Sequence, residues 1–178
     1  MTTSGHGLDR RRSDAPPSIG WRAARERVRD AASRLVAGRR GTVLALAIVG
    51  AAVALPLPTL FRYQGAPMEE GFMLVFPERV LAGDIPNRDF LHLYGPASLW
   101  SLAAWYELAG TTLASERFYG LLQHLGIIFG LFRLALPWGR RTAVACGLMA
   151  VLLVVTPIGL AALAWNGAVA LGLLGSAL

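Results

Sequence analysis

Hydrophobic and polar positions alternate in long blocks along this chain rather than residue by residue. Residues 42 to 61 (TVLALAIVGAAVALPLPTLF) run for twenty positions without a charge. At about 1.5 Å per helical residue this is about 30 Å, the hydrocarbon thickness of a bilayer. Residues 118 to 138 and 142 to 164 form two further apolar blocks, and 165 to 178 begins another. Between the first two blocks lies an outer loop, 62 to 96, where carboxylates, a histidine and tyrosines gather. Its first half, 68 to 82, mixes Phe72, Leu74, Val75, Val80 and Leu81 with Glu69, Glu70, Glu78 and Arg79. That mixture suits one short interfacial helix, or two divided at Pro77. Gly83 to Pro86 and Gly95-Pro96 are breaks. Residues 97 to 110 are apolar and aromatic but only fourteen long, which fits an interfacial or re-entrant helix. The fold class this predicts is all-α: a polytopic helical membrane protein with an outer loop carrying short interfacial helices.

Composition agrees. The chain has 178 residues, 54% hydrophobic and 16% charged, with mean hydropathy +0.49, too apolar for an ordinary soluble domain. Charge divides it into two parts. Residues 1 to 41 hold ten of the 17 basic residues and four of the 11 acids; the remainder holds seven of each. The first part reads as a cytoplasmic arginine-rich tail whose residues 18 to 38 form a basic amphipathic helix suited to an anionic membrane surface. Nucleic acid is not an expected partner, because an apolar segment follows at once. Residues 42 to 178 are the membrane domain. The first block is not a cleaved signal peptide, since its basic lead is too long and no small-x-small site follows it.

Arg39 and Arg40 precede the first span, so the positive-inside rule puts the N-terminus in the cytoplasm and loop 62–96 outside. If 97 to 110 do not cross, 118 to 138 run inward and bring Arg140 and Arg141 to the cytoplasm, as the rule asks. If they cross, that pair ends outside; the first arrangement is preferred. Gly126 and Gly130 form a GxxxG that allows close helix packing. Pro56 and Pro58 kink or end the first span. Cys146, the single cysteine, lies in an apolar run and reads as a packing residue.

The chemistry concentrates in the outer loop. Adjacent Glu69 and Glu70 point about 100° apart on a helix. One of them can act as a general base or bind a divalent cation, Mg or Mn, while the other faces water or a basic partner. The plain alternative is that both solvate the loop. Asp84 after Gly83 is a turn residue. Asp89, His92 and Tyr94 form a cluster that can hold a phosphate or a sugar, or serve as a satisfied polar seam. Arg117 suits bidentate phosphate contacts; alternatively it pairs with a loop acid. His124 and Gln123 lie within a span, where polar groups face the protein interior or a cavity. There is no zinc signature, Walker loop or serine elbow.

The order of these features resembles a known family. A span is followed by an acidic pair and glycine (Glu69, Glu70, Gly71), then PERVLAGDIPNRDF, YGP, a short aromatic helix, and SER opening a long span. This is similar to the N-terminal part of the multi-spanning GT-C glycosyltransferases, of the bacterial type that includes protein mannosyltransferases and the lipid-A aminoarabinose transferase. The resemblance covers about residues 42 to 160. It implies an enzyme of the bacterial plasma membrane that moves a sugar from a polyprenyl-phosphate-linked donor to an acceptor hydroxyl on the outer face. Glu69 or Glu70 would be the catalytic base or metal ligand, with Arg88, Asp89, His92, Tyr94 and Arg117 binding substrate. The family commonly has Asp where Glu69 stands, and eight to thirteen spans where this chain has three or four. A fragment is therefore the expectation, completed by a missing C-terminal part or a partner subunit. The rival reading is a small non-catalytic membrane protein that binds a lipid or protein through its outer loop. A transporter fragment is weaker still, since His124 alone lies at mid-membrane.

Overall fold

A computed structural model describes residues 39–62, 65 and 67–177, together with Glu26. The amphipathic helix expected over 18–38 lies outside the described residues, Glu26 apart. Contacts separate residues 1–40 from a compact unit, Gly41–Leu178, and the following concerns that unit.

The unit is all-helical among the described residues, apart from one isolated bridge between Pro86 and Phe90. Helix α1 (Arg39–Ala54) is followed by a turn at Leu55 and Pro56 and by α2 (Leu57–Arg62). The prolines therefore interrupt this stretch without ending it. Arg40–Arg62 is one of two stretches long and apolar enough to cross a membrane. The second is Leu113–Trp138, made of α5 (Leu113–Ala135) and a tight turn of 3₁₀ helix. Thr112 starts α5 with its hydroxyl accepting from the Ser115 N–H, which satisfies one orphan donor of the first turn. The outer loop holds α3 (Pro67–Leu81), a single helix that passes through Pro77 rather than two helices divided there. Helix α4 (Ala97–Ala109) follows.

The third apolar block differs from expectation. Helix α6 (Arg140–Ala150) widens into a π segment, Val151–Val155, and ends in a short α7 (Thr156–Ile158). Helical structure stops at Ile158 rather than at residue 164. Pro157 and Gly159, the latter at φ +70°, break it. Residues 160–163 then form a buried non-helical connector into α8 (Ala164–Ser176).

Close contacts fix the arrangement. The Arg140 Nε–H donates to the Thr42 hydroxyl over 3.0 Å, and Gly147 lies against Val49, so α1 and α6 run side by side in the same direction. Helix α5 runs the other way, and α8 packs along it. A Cβ on Gly126 would sit 2.9 Å from that of Ala170, and one on Gly130 2.7 Å from that of Leu173. The GxxxG is thus a helix-packing surface, with α8 as its partner. Gly120 is tighter still: any side chain there would collide with the Leu160 carbonyl. The main core joins Val49 and Val53 of α1, Leu121, Ile128 and Phe132 of α5, and Ala143 and Ala150 of α6. Cys146 is half-buried against it.

Helix α4 lies beside only the first three turns of α5. Trp105 stacks on Phe118 and donates to the Ser115 carbonyl, while the Tyr119 hydroxyl donates to Ser101. Ala97 and Ser98 share a cavity wall with Gln123.

Candidate functional site

Two adjacent residues of α3 have opposite fates. Glu70 is buried and forms a two-pronged ion pair with Arg117 of α5: Nε–H to Oε1 at 2.8 Å and Nη2–H to Oε2 at 3.0 Å. Arg117 Nη1 donates to the Phe61 carbonyl at 2.8 Å and, more weakly, to that of Leu60. Those carbonyls belong to the last turn of α2, where no intrahelical partner exists. The guanidinium therefore ties three elements together. Gly65 permits the approach, since a Cβ there would stand 2.6 Å from a Glu70 oxygen. Beside this pair Glu116 is wholly enclosed, and its Oε1 accepts from the Ala162 N–H of the connector at 2.6 Å. The Glu116 Oε2, His124 Nε2 and Asn166 Nδ2 atoms are buried with no hydrogen-bond partner among the described residues.

This revises two expectations. Arg117 meets a loop acid rather than presenting its fork to a phosphate, because its donors are directed to Glu70 and to α2. Glu70, with both oxygens accepting from that fork, is not a free base or metal ligand.

Glu69 faces elsewhere. It lines a cavity of about 250 Å³ with Phe72, Met73 and Phe76 of α3 and Leu91, His92, Leu93 and Tyr94 of the following loop. Three of the residues singled out from the sequence, Glu69, His92 and Tyr94, are thereby brought to one place. The loop is shaped for this. Asn87 takes a left-handed conformation, φ 64°, which Asn tolerates better than most residues. Its side-chain oxygen accepts from the His92 N–H at 3.0 Å, which fixes the backbone where the imidazole turns inward. The ring packs edge-on against Phe76 and Tyr94, at 5.8 and 5.7 Å between centroids. Its Nε2 has no partner among the described residues. Burial pushes the His92 pKa below the usual histidine range, so the neutral imidazole is favoured near neutral pH.

Arg88 and Asp89 do not join that cavity. They pair with each other on an exposed turn, Arg88 Nε and Nη2 donating to the two Asp89 oxygens at 3.0 and 2.8 Å. Asp89 also accepts from the Ile85 N–H. The side-chain bond from Arg88 holds the Asp89 carboxyl below its ordinary pKa, and the same bond raises that of Arg88. Asp84 accepts from Arg79 Nε at 2.7 Å, and that guanidinium lies 4.5 Å from the centre of the Phe90 ring. This turn shapes the loop; it offers no free fork to a ligand.

No group of three His, Cys, Asp or Glu side chains placed to hold a metal ion occurs among the described residues. Glu69 and Glu70 do not fit as joint ligands for Mg or Mn, since the Glu70 oxygens are engaged by Arg117.

A second cavity, of about 570 Å³, lies between α4, α5 and α8 and shares Tyr94 with the first. Glu116, Asn166 and the 160–163 connector carry much of the buried polar structure, and sequence reasoning placed little weight on them. The Pro157–Gly159 break was the available signal for the connector.

No family model, curated protein or solved structure matches this chain.

Proposed function

We propose that this chain carries the catalytic loop of a polytopic membrane glycosyltransferase of the GT-C type. The sugar donor is a polyprenyl-phosphate-linked sugar and the acceptor is a hydroxyl group on the outer face. The observation that carries the reading is the separation of roles within Glu69–Glu70. Glu70 locks the loop to α5, while Glu69 stands in a cavity beside a neutral histidine and a tyrosine.

A carboxylate in that position accepts the proton of an acceptor hydroxyl. The acceptor oxygen then bonds to the anomeric carbon, and the bond from that carbon to the phosphate oxygen breaks. The phosphate leaves with the electron pair. His92 and Tyr94 orient the substrate through hydrogen bonds, and the aromatic walls take the apolar face of a sugar ring. No step is routed through a metal.

Membrane placement follows the same reading. Thr42 meets Arg140, and Arg39 and Arg40 stand next to Thr42 in the sequence. Arg133 and Arg141 lie at the same end of α5 and α6. With that end in the cytoplasm the charge rule is met, and Glu69 and the Glu70–Arg117 pair face outward in a bacterial plasma membrane.

The test is transfer from a polyprenyl-phosphate sugar in membranes carrying Glu69→Gln. The expected loss is about 10²-fold or more, the usual contribution of a general base, with the melting temperature unchanged. Full transfer by this variant would defeat the proposal and leave the loop as a non-catalytic binding element.

A further inference from the structure

Leu91 and Leu93 are among the most exposed large apolar residues described, at 77% and 83%, while His92 between them is 5% exposed. The strand-like alternation sends the imidazole into the Glu69 cavity and both leucines outward. In a soluble protein such a pair would face water. Its level in this fold is different.

The stretch Leu113–Trp138 has 26 residues. At about 1.5 Å each it is about 39 Å long, against about 30 Å of hydrocarbon, so about three residues at either end lie outside the apolar layer. Tyr119 and Gln123 are then inside it. Tyr94, Gly95 and Ser98 share a cavity wall with those two residues and with Ala168 and Leu171 of α8. Helix α4 climbs back from that level, with Ser101 at Tyr119 and Trp105 at Ser115. The segment leading into α4 therefore lies two to three turns below the start of α5 rather than above it. Its composition agrees: from Phe90 to Tyr106 there is no Asp, Glu, Lys or Arg. The exposed faces of Phe118, Leu122 and Leu125 on α5 supply the same apolar coat at that level.

We infer that the 90–96 segment is re-entrant, with Leu91 and Leu93 seated among the acyl chains of the outer leaflet. Both leucines also line the Glu69–His92 cavity, so that cavity is entered from the lipid. Its ligand carries a polar group for Glu69 and His92 and a hydrocarbon part that lies against the two leucines. This rests on the membrane placement proposed above and not on sugar transfer.

The experiment places a small environment-sensitive fluorophore at Leu93→Cys, and separately at Leu91→Cys, in the full chain with Cys146→Ala. The protein is reconstituted in phosphatidylcholine vesicles. Nitroxide lipids labelled mid-chain should quench both positions more strongly than head-group nitroxides, and aqueous iodide should quench them little. Strongest quenching by iodide or by the head-group nitroxide overturns the inference. Shielding from all three quenchers also overturns it, because a second copy of the chain would then cover the leucines. Repeating the measurement with Glu69→Gln separates the two proposals: the quenching pattern should persist whether or not that variant transfers sugar.

Discussion

Two charged clusters stand within one loop's reach of each other, and they are built on opposite principles. At the start of α5, Glu70, Arg117 and Glu116 are buried and join residues 46 to 57 positions apart. On the turn after α3, Arg79, Asp84, Arg88 and Asp89 join neighbours one to five positions apart, at the surface. In the first cluster each charge has lost its water and depends on its partner. In the second, water can replace the partner. Charge alone does not distinguish them; the sequence distance that a pair bridges and its burial do.

The largest expected effect is at the buried cluster. Arg117→Ala or Glu70→Ala leaves an uncompensated charge and should lower stability by about 3–5 kcal/mol, read by thermal unfolding in detergent. Arg117→Lys should recover only part, because an ammonium cannot make the two-pronged contact. An Arg117→Ala variant that melts like the parent would erase the contrast between the clusters. Next is Gly120→Ala, which pushes a methyl group into the connector carbonyl that leads to Ala162. The usual overpacking cost, about 1–3 kcal/mol, should appear in the same assay.

His92 sits between the two extremes, and pH reads it. Its folded pKa lies below the unfolded value of about 6.5, so the unfolded chain binds the proton first. The stability tied to neutral His92 is complete above that value and is lost as pH falls from it toward the depressed folded pKa. His92→Gln should flatten that part of the stability–pH curve; an unchanged slope would mean that His92 is not the group titrating. The smallest effect belongs to the surface turn. Arg88→Gln should leave the melting temperature where it was, at low and high salt alike.

The apolar blocks made the membrane-length helices legible before any coordinates, because twenty uncharged residues have few other uses. The outer loop was legible as the place for chemistry for the complementary reason. What the sequence could not show was which member of Glu69–Glu70 is free. Both are acids on one helix, and only the position of Arg117, forty-seven residues away, decides between them. Arg88 and Asp89 look like ligand groups in the sequence, yet a guanidinium and a carboxylate on adjacent residues satisfy each other locally. The block at 142–164 reads as one span because periodicity does not register a π turn. The break at Gly159 depends on Glu116 waiting for the Ala162 N–H.

That π segment also sets a phase. A helix of 3.6 residues per turn rotates about 100° with each residue, and a π turn takes up one residue more than an α turn. Deleting a single valine or leucine from Val151–Val155 would turn the segment back into ordinary α-helix and rotate everything after it by about a third of a circle. Ala162 would then face away from Glu116, and α8 would lose its alignment with Gly126 and Gly130. The extra residue acts as a spacer in angle, and the seating of α8 on α5 is tuned by counting residues on a different helix.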